Sequence, residues 1–157
     1  MAIKEGRYSG DGEFHTCSNL LGQGYSIAFP SFPADQPYSA SYKLAHVPSV
    51  GRDPYLYLSF HSDAPPSASD TVKPHVTASI HVTLEDSRSR EARSLELSLA
   101  KAIWRWSQNV FGAYDLEKGV FHFAPSASYV LRVSYTPGSV PPPAKEVYFE
   151  IDDCAFY

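Results

Sequence analysis

Residues 145–157 read KEVYFEIDDCAFY, and within them Val147, Phe149 and Ile151 alternate with Tyr148, Glu150 and Asp152. A period of two sends successive side chains to opposite faces of an extended chain, which is the pattern of a half-buried β-strand. Two carboxylates, Asp152 and Asp153, interrupt the apolar run. A segment this apolar is expected to pair inside a sheet and not to dangle in water. Ahead of it, Tyr129 to Tyr135 (YVLRVSY) alternates in the same way, and the proline-rich link PGSVPPPAK joins the two. These two strands predict an all-β chain, an antiparallel β-sandwich of jelly-roll type spanning 1–157 as one domain.

Further strands lie upstream. YLYLSFH (55–61) is the cleanest alternation, with Leu56, Leu58 and Phe60 on one face and Tyr55, Tyr57, Ser59 and His61 on the other. In HVTASIHVTL (75–84), Val76, Ala78, Ile80, Val82 and Leu84 face inward, while His75, Thr77, Ser79, His81 and Thr83 face out. Antiparallel sheets divide their faces in this manner, one packed and one wet. Strands are also expected at Tyr25–Phe29, at Ser39–Val47 and in GVFHF, where Phe121 and Phe123 share a face, with DLEKG as the turn before it. The first 24 residues are polar and glycine-rich, with SGDGEF as a turn. No regular alternation of strand and helix marks a parallel sheet. The segment 87–110 fits two patterns. Ala92, Leu95, Leu99, Ala102, Ile103, Trp106 and Val110 make a helical stripe, whereas Leu95, Leu97 and Leu99, then Ala102, Trp104 and Trp106, fit two strands with a turn near Ala100. The two-strand reading is preferred because a jelly roll needs strands here; one short helix within 87–110 is the alternative.

Composition narrows the function classes. The chain has 157 residues, enough for one sizeable core, and its 11 Tyr, 9 Phe and 13 Pro suit strands joined by stiff turns. A formal net charge of -4 with both signs interspersed supplies no basic stripe for nucleic acid. No apolar run reaches the roughly 18 residues of a membrane span. The start, MAIKEGRYSGDGEF, lacks the apolar core of a secretory signal and points to a cytoplasmic or unconventionally secreted protein. On that ground Cys17 and Cys154 read as reduced, buried thiols, although terminal strands of a sandwich are near enough for a bond. The prolines of FPSFPADQPY exclude a central strand. Its Phe29, Phe32 and Tyr38 would form either a binding rim or a plug at the end of the sandwich, the plug being the commoner role.

No phosphate loop, HExxH or GxSxG occurs, and the six histidines are scattered. A glycosidase needs two carboxylates facing across a cleft. Nothing specific makes such a pair of Glu85–Asp86 or Glu150–Asp152, so no enzyme activity is expected. Sugar binding needs flat aromatic surfaces and a few fixed donors and acceptors. Tyr55, Tyr57 and His61 supply one such strand face, which His81 joins if its strand shares the sheet. Trp104 and Trp106 add stacking surface, and Arg132 adds bidentate hydrogen bonding; core packing is the competing role for the tryptophans.

Four short motifs, GDGEF (10–14), VTLED (82–86), IWRW (103–106) and FEIDD (149–153), come in an order that resembles the jelly-roll carbohydrate-binding modules of the galactose-binding-domain-like group. The opening departs from that pattern, since Glu13 precedes Phe14. The resemblance implies a structural calcium ion held by terminal carboxylates and an acidic residue near the N-terminus: Asp152 and Asp153 with Glu13 or Asp11. Oxygen ligands of this kind suit a hard cation. The expectation is therefore a non-catalytic carbohydrate-binding protein, a soluble lectin gaining avidity as a homo-oligomer. The alternative is an interaction or assembly module whose aromatic face is a subunit interface.

Overall fold

In YLYLSF (55–60) every second residue is sealed from water and Tyr55, Tyr57 and Ser59 are half-buried, as alternation dictates: Leu56, Leu58 and Phe60 are 0–1% exposed. The computed structural model describes residues 8–19, 22–48, 53–61, 77–101, 103–107, 110–114, 121–124, 126–140 and 144–154, with the backbone alone at 19, 61, 103–107 and 110–114. Twelve strands run through them. They are β1 (Ser9–Gly10), β2 (Glu13–Asn19), β3 (Gly22–Ala28), β4 (Phe32–Pro33), β5 (Tyr38–Ala45) and β6 (Tyr55–His61). The second half of the chain adds β7 (Ser79–Asp86), β8 (Ala92–Ser98), β9 (Ile103–Ser107), β10 (Val110–Tyr114), β11 (Ser128–Thr136) and β12 (Glu146–Asp152).

All pairings are antiparallel and form two sheets. One has the order β1-β5-β11-β7-β8; the other has the order β2-β3-β12-β6-β10-β9, with β4 also pairing β12. Setting aside β1, β2, β4 and β9, the orders β5-β11-β7-β8 and β3-β12-β6-β10 are those of an eight-stranded jelly roll. The expected architecture is the observed one. The inward rows of the two sheets supply the core. Leu44, Ile80, Val82, Leu84, Leu95, Leu97, Leu131, Val133 and Tyr135 come from one sheet, and Tyr25, Ile27, Leu56, Leu58, Phe60, Val147, Phe149 and Ile151 from the other. Each large side chain buried this fully contributes about 1.5–3 kcal/mol relative to an exposed one.

The proline loop is the plug. Phe32 stacks on Tyr38 with ring centroids 4.4 Å apart, and Phe29 stacks on Phe149 at 4.8 Å. The buried Tyr135 hydroxyl donates to the Ala34 carbonyl at 2.7 Å, fixing the loop to β11. Among the described residues of 87–110 there is no helix: β8 and β9 are strands, and the chain turns at Leu99–Lys101. The β7–β8 hairpin is closed by Asp86, whose Oδ1 accepts the backbone N–H of Arg88 at 2.9 Å and of Ser89 at 3.1 Å. Those two bonds hold its carboxyl below the usual range. The acidic end of VTLED is thus a turn cap.

Three expectations change. Within GVFHF, residues 121–123 form no strand; Phe121 and Phe123 are buried at 2% and 5% from an irregular segment, so the shared face is real although no sheet partner uses it. DLEKG, His75 and Val76 lie outside the described residues. The glycine-rich start is not merely polar loop, for β2 pairs with β3 along its whole length. The cysteines are not two thiols: Cys17 and Cys154 form a disulfide, Cα–Cα 6.1 Å, across a sequence separation of 137. Strand β2 lies beside β3 and β3 beside β12, which brings the two cysteines to one corner of the sheet. Gly24 makes room there. A Cβ on it would meet Asp153 Oδ2 at 2.9 Å and Cys17 Sγ at 3.0 Å, closer than side-chain carbons approach such atoms.

Candidate functional site

Every outward-pointing residue of a central strand has neighbours on both sides, so the register defines what each outer face offers. On the five-stranded sheet, Ser39, Ser134, His81 and Glu96 stand in one cross-strand row, and Ser41, Arg132, Thr83 and Ser94 in the next. Most of these side chains are short hydroxyls. Between the longer His81 and Arg132 they leave a trough of about 500 Å3, lined by Ser39, Ser41, His81, Thr83, Arg132 and Ser134.

Its charged group is fixed. Arg132 Nη1 donates to Glu85 Oε2 at 2.9 Å, and Arg90 Nη1 lies 4.0 Å from Glu85 Oε1. Glu85 is only 17% exposed while Arg132 is 52% exposed, so the carboxylate acts as a buried anchor for a guanidinium that still reaches solvent. A forked donor held in place, ringed by hydroxyls that both donate and accept, is suited to a polyhydroxylated ligand. Thr83 Oγ1 and Ser94 Oγ, 3.0 Å apart, extend the hydroxyl surface toward β8.

The seven-stranded sheet has a different outer face. Tyr57 stands opposite Glu150, and Tyr55 opposite Asp152; beyond β12 the same rows continue to Ala28 and Glu13, and to Ser26 and His15. Tyr55, Tyr57 and Glu150 are half-buried, and Asp152 is only 2% exposed although it points away from the core. Burial, reinforced by the Asp152 charge and a hydrogen bond to Asp152, pushes the Glu150 carboxyl up to about 7. Two carboxyls two residues apart on one strand share a face, which is how the Asp152 charge reaches Glu150. Asp152 Oδ1 also accepts the Cys154 N–H at 2.6 Å, at the foot of the disulfide.

The structure therefore divides the residues that the sequence grouped. Tyr55 and Tyr57 share the seven-stranded sheet, whereas His81 and Arg132 share the five-stranded one, so His81 does not complete the tyrosine surface. The side chains of His61, Trp104 and Trp106 lie outside the described residues. By backbone register, Trp104 and Trp106 follow the rows of Leu58 and Phe60 through Ala113 and Phe111, not those of Tyr55 and Tyr57.

The three carboxylates named as calcium ligands take separate positions. Glu13 lies 3.3 Å from His15 Nε2, in the row of Glu150. Asp152 is bound as described, and Asp153 is buried past the strand end with its N–H donated to the Tyr25 carbonyl at 3.0 Å. Among the described residues no group of three His, Cys, Asp or Glu side chains is placed to hold one metal ion. The residues that sequence reasoning missed are the serines. Ser39, Ser41 and Ser134 sit at every second position of their strands, a visible signal, but their common face depends on β5 and β11 being neighbours.

No protein-family model, curated protein or solved structure matches this chain.

Proposed function

We propose that this protein is a non-catalytic carbohydrate-binding protein whose ligand lies in the trough on the five-stranded sheet. The observation that carries the reading is the trough itself: four hydroxyl side chains converge there with a guanidinium anchored by Glu85. Concave sites with a few convergent polar groups are where small ligands are held. Arg132 would donate to two neighbouring sugar oxygens, and Ser39, Ser41, Thr83 and Ser134 would exchange hydrogen bonds with the remaining hydroxyls. His81 closes one side. Glu85 is committed to two arginines, which leaves it a positioning group and not an acid poised for glycosidic cleavage. The resemblance to jelly-roll carbohydrate-binding modules supports the same function.

The cysteines favour one compartment for this role. Disulfides such as Cys17–Cys154 persist mainly in oxidising surroundings, which supports a site of action outside the cytosol, where glycans are displayed.

A glycan-array screen of the purified protein beside Arg132→Ala tests the reading. One family of glycans should bind the native chain, and removal of the charged donor should weaken that binding about tenfold or more. The pattern should be the same in calcium and in EDTA, because none of the trough residues needs a metal. A blank array, or equal binding by Arg132→Ala, would sink the proposal.

A further inference from the structure

The trough does not end at Arg132. Consecutive outward positions on β11 are Ser134, Arg132, Val130 and Ser128, and those on β5 are Ser39, Ser41, Lys43 and Ala45. The first two of each set border the trough already described. The last two border a second one of about 460 Å3, lined by Asp11, Lys43, Ala45, Ser87, Ser128 and Val130. The register joins them: Arg132 stands opposite Ser41, Val130 opposite both Lys43 and Glu85, and Ser128 opposite Ala45. The two hollows therefore lie end to end along β5 and β11. At the rise of an antiparallel strand the track from Ser134 to Ser128 is about 20 Å long.

The second hollow is as firmly framed as the first. Asp11 Oδ2 accepts the Lys43 backbone N–H at 2.8 Å, and the Asp11 N–H returns to the Lys43 carbonyl at 2.7 Å. The Tyr8 hydroxyl donates to the Asp11 carbonyl, holding the bend after β1 against β5. On the opposite wall the Ser87 N–H donates to the Ser128 carbonyl at 2.9 Å, fixing the end of β7 to β11. None of these bonds uses the side chain of Lys43, Ser87 or Ser128, so the two hydroxyls and the ammonium are presented by a frame held in place without them. At the junction Lys43 and Arg132 are diagonal neighbours on adjacent strands, about 7–8 Å apart.

Resting on the carbohydrate reading above, we infer that the ligand is an internal stretch of a linear polysaccharide lying along β5 and β11 across both hollows. A protein that captures a terminal sugar needs one hollow. A track several sugar rings long, with hydroxyl groups at both ends, two cationic donors in the middle and Val130 beside them as an apolar patch, matches a chain that carries hydroxyls along its whole length and apolar C–H faces between them. Lys43 is the residue that tells the two cases apart, because it borders the second hollow and not the first.

The test is titration calorimetry with cello-, xylo-, manno- and laminari-oligosaccharide ladders and an oligogalacturonide ladder, each from disaccharide to hexasaccharide. For the ladder that binds, affinity should keep rising beyond the trisaccharide. Lys43→Ala should weaken the hexasaccharide about fivefold to tenfold and leave the disaccharide unchanged, as loss of one charge-assisted contact implies. Arg132→Ala should weaken every length. Lys43 is exposed and its bonds to Asp11 are made by its backbone, so the alanine variant keeps the fold; an unchanged thermal melt checks this. Affinity that is flat from the disaccharide upward, with Lys43→Ala neutral at every length, overturns the extended track and leaves the single trough standing. No binding in any ladder, together with a blank glycan array, overturns both.

Discussion

The outer faces of the two sheets obey the same alternation and differ in almost everything else. On the five-stranded sheet the outward residues of β5, β7 and β11 are mostly serine, threonine and single charges, and they leave hollows. On the seven-stranded sheet the outward residues at the middle of β6 and β12 set tyrosines against carboxyls, Tyr57 opposite Glu150 and Tyr55 opposite Asp152. Strand alternation decides which side chains leave the core; the residue types at those positions decide what each face offers. A disulfide ties one edge of the seven-stranded sheet to the end of β12, while the five-stranded sheet carries no covalent bond among the described residues.

The largest effect should come from cutting that tie. Cys17→Ser with Cys154→Ser opens a loop of more than a hundred residues, and the loss of stability on guanidinium unfolding should be about 4–5 kcal/mol. If the two faces are independent, the surviving folded protein binds glycan as the native chain does. A parallel fall in affinity would break the distinction between them.

An intermediate effect concerns Glu150. Its carboxyl titrates near 7 in the folded chain, above the ordinary value of 4.5 that it regains on unfolding. Between these values the folded state binds more protons than the unfolded one, so stability is greatest below about 4.5 and declines as pH rises through about 7. Glu150→Gln should flatten that decline in urea melts taken across the range. If the native chain shows no such slope, the proton is not shared with Asp152. Affinity in the trough should not follow this titration, since Glu150 is on the other sheet.

The smallest effect sharpens the comparison most. Tyr57→Phe removes a hydroxyl from the face where sequence reasoning placed the sugar. Glycan affinity should stay within about twofold, because no trough contact is lost. A tenfold loss would return the site to the tyrosine face.

How much of this was legible in the chain differs by level. The alternation of YLYLSFH and of YVLRVSY marked both strands and their buried faces. The leucines of β8 and the tryptophans of β9 were correctly read as two strands with a turn near Ala100, because the rest of the chain reads as β and a jelly roll needs strands there. Partnership was not legible. Nothing local to Tyr57 and His81 says that β6 pairs with β12 while β7 pairs with β11, so residues with matching chemistry were assigned to one surface when they occupy two. The same blindness hid the disulfide: Cys17 and Cys154 meet only because β3 brings β2 alongside the end of β12, a relation set by register over the whole chain. The strand β10 was missed for a different reason. Its five residues, VFGAY, include a glycine and are too few to declare a period.

The positions of β11 and β12 carry one more consequence, for synthesis. They come last among the described strands in chain order, and each lies in the interior of its sheet, β11 between β5 and β7 and β12 between β3 and β6. Until both have emerged, the inner edges of β3, β5, β6 and β7 have no partner and their leucines and phenylalanines no opposing layer. The nascent chain has no half-sandwich in which to wait. Such long-range closure is slow and leaves open edges exposed to other chains. Whatever holds the earlier strands apart from other chains must do so until β11 and β12 arrive.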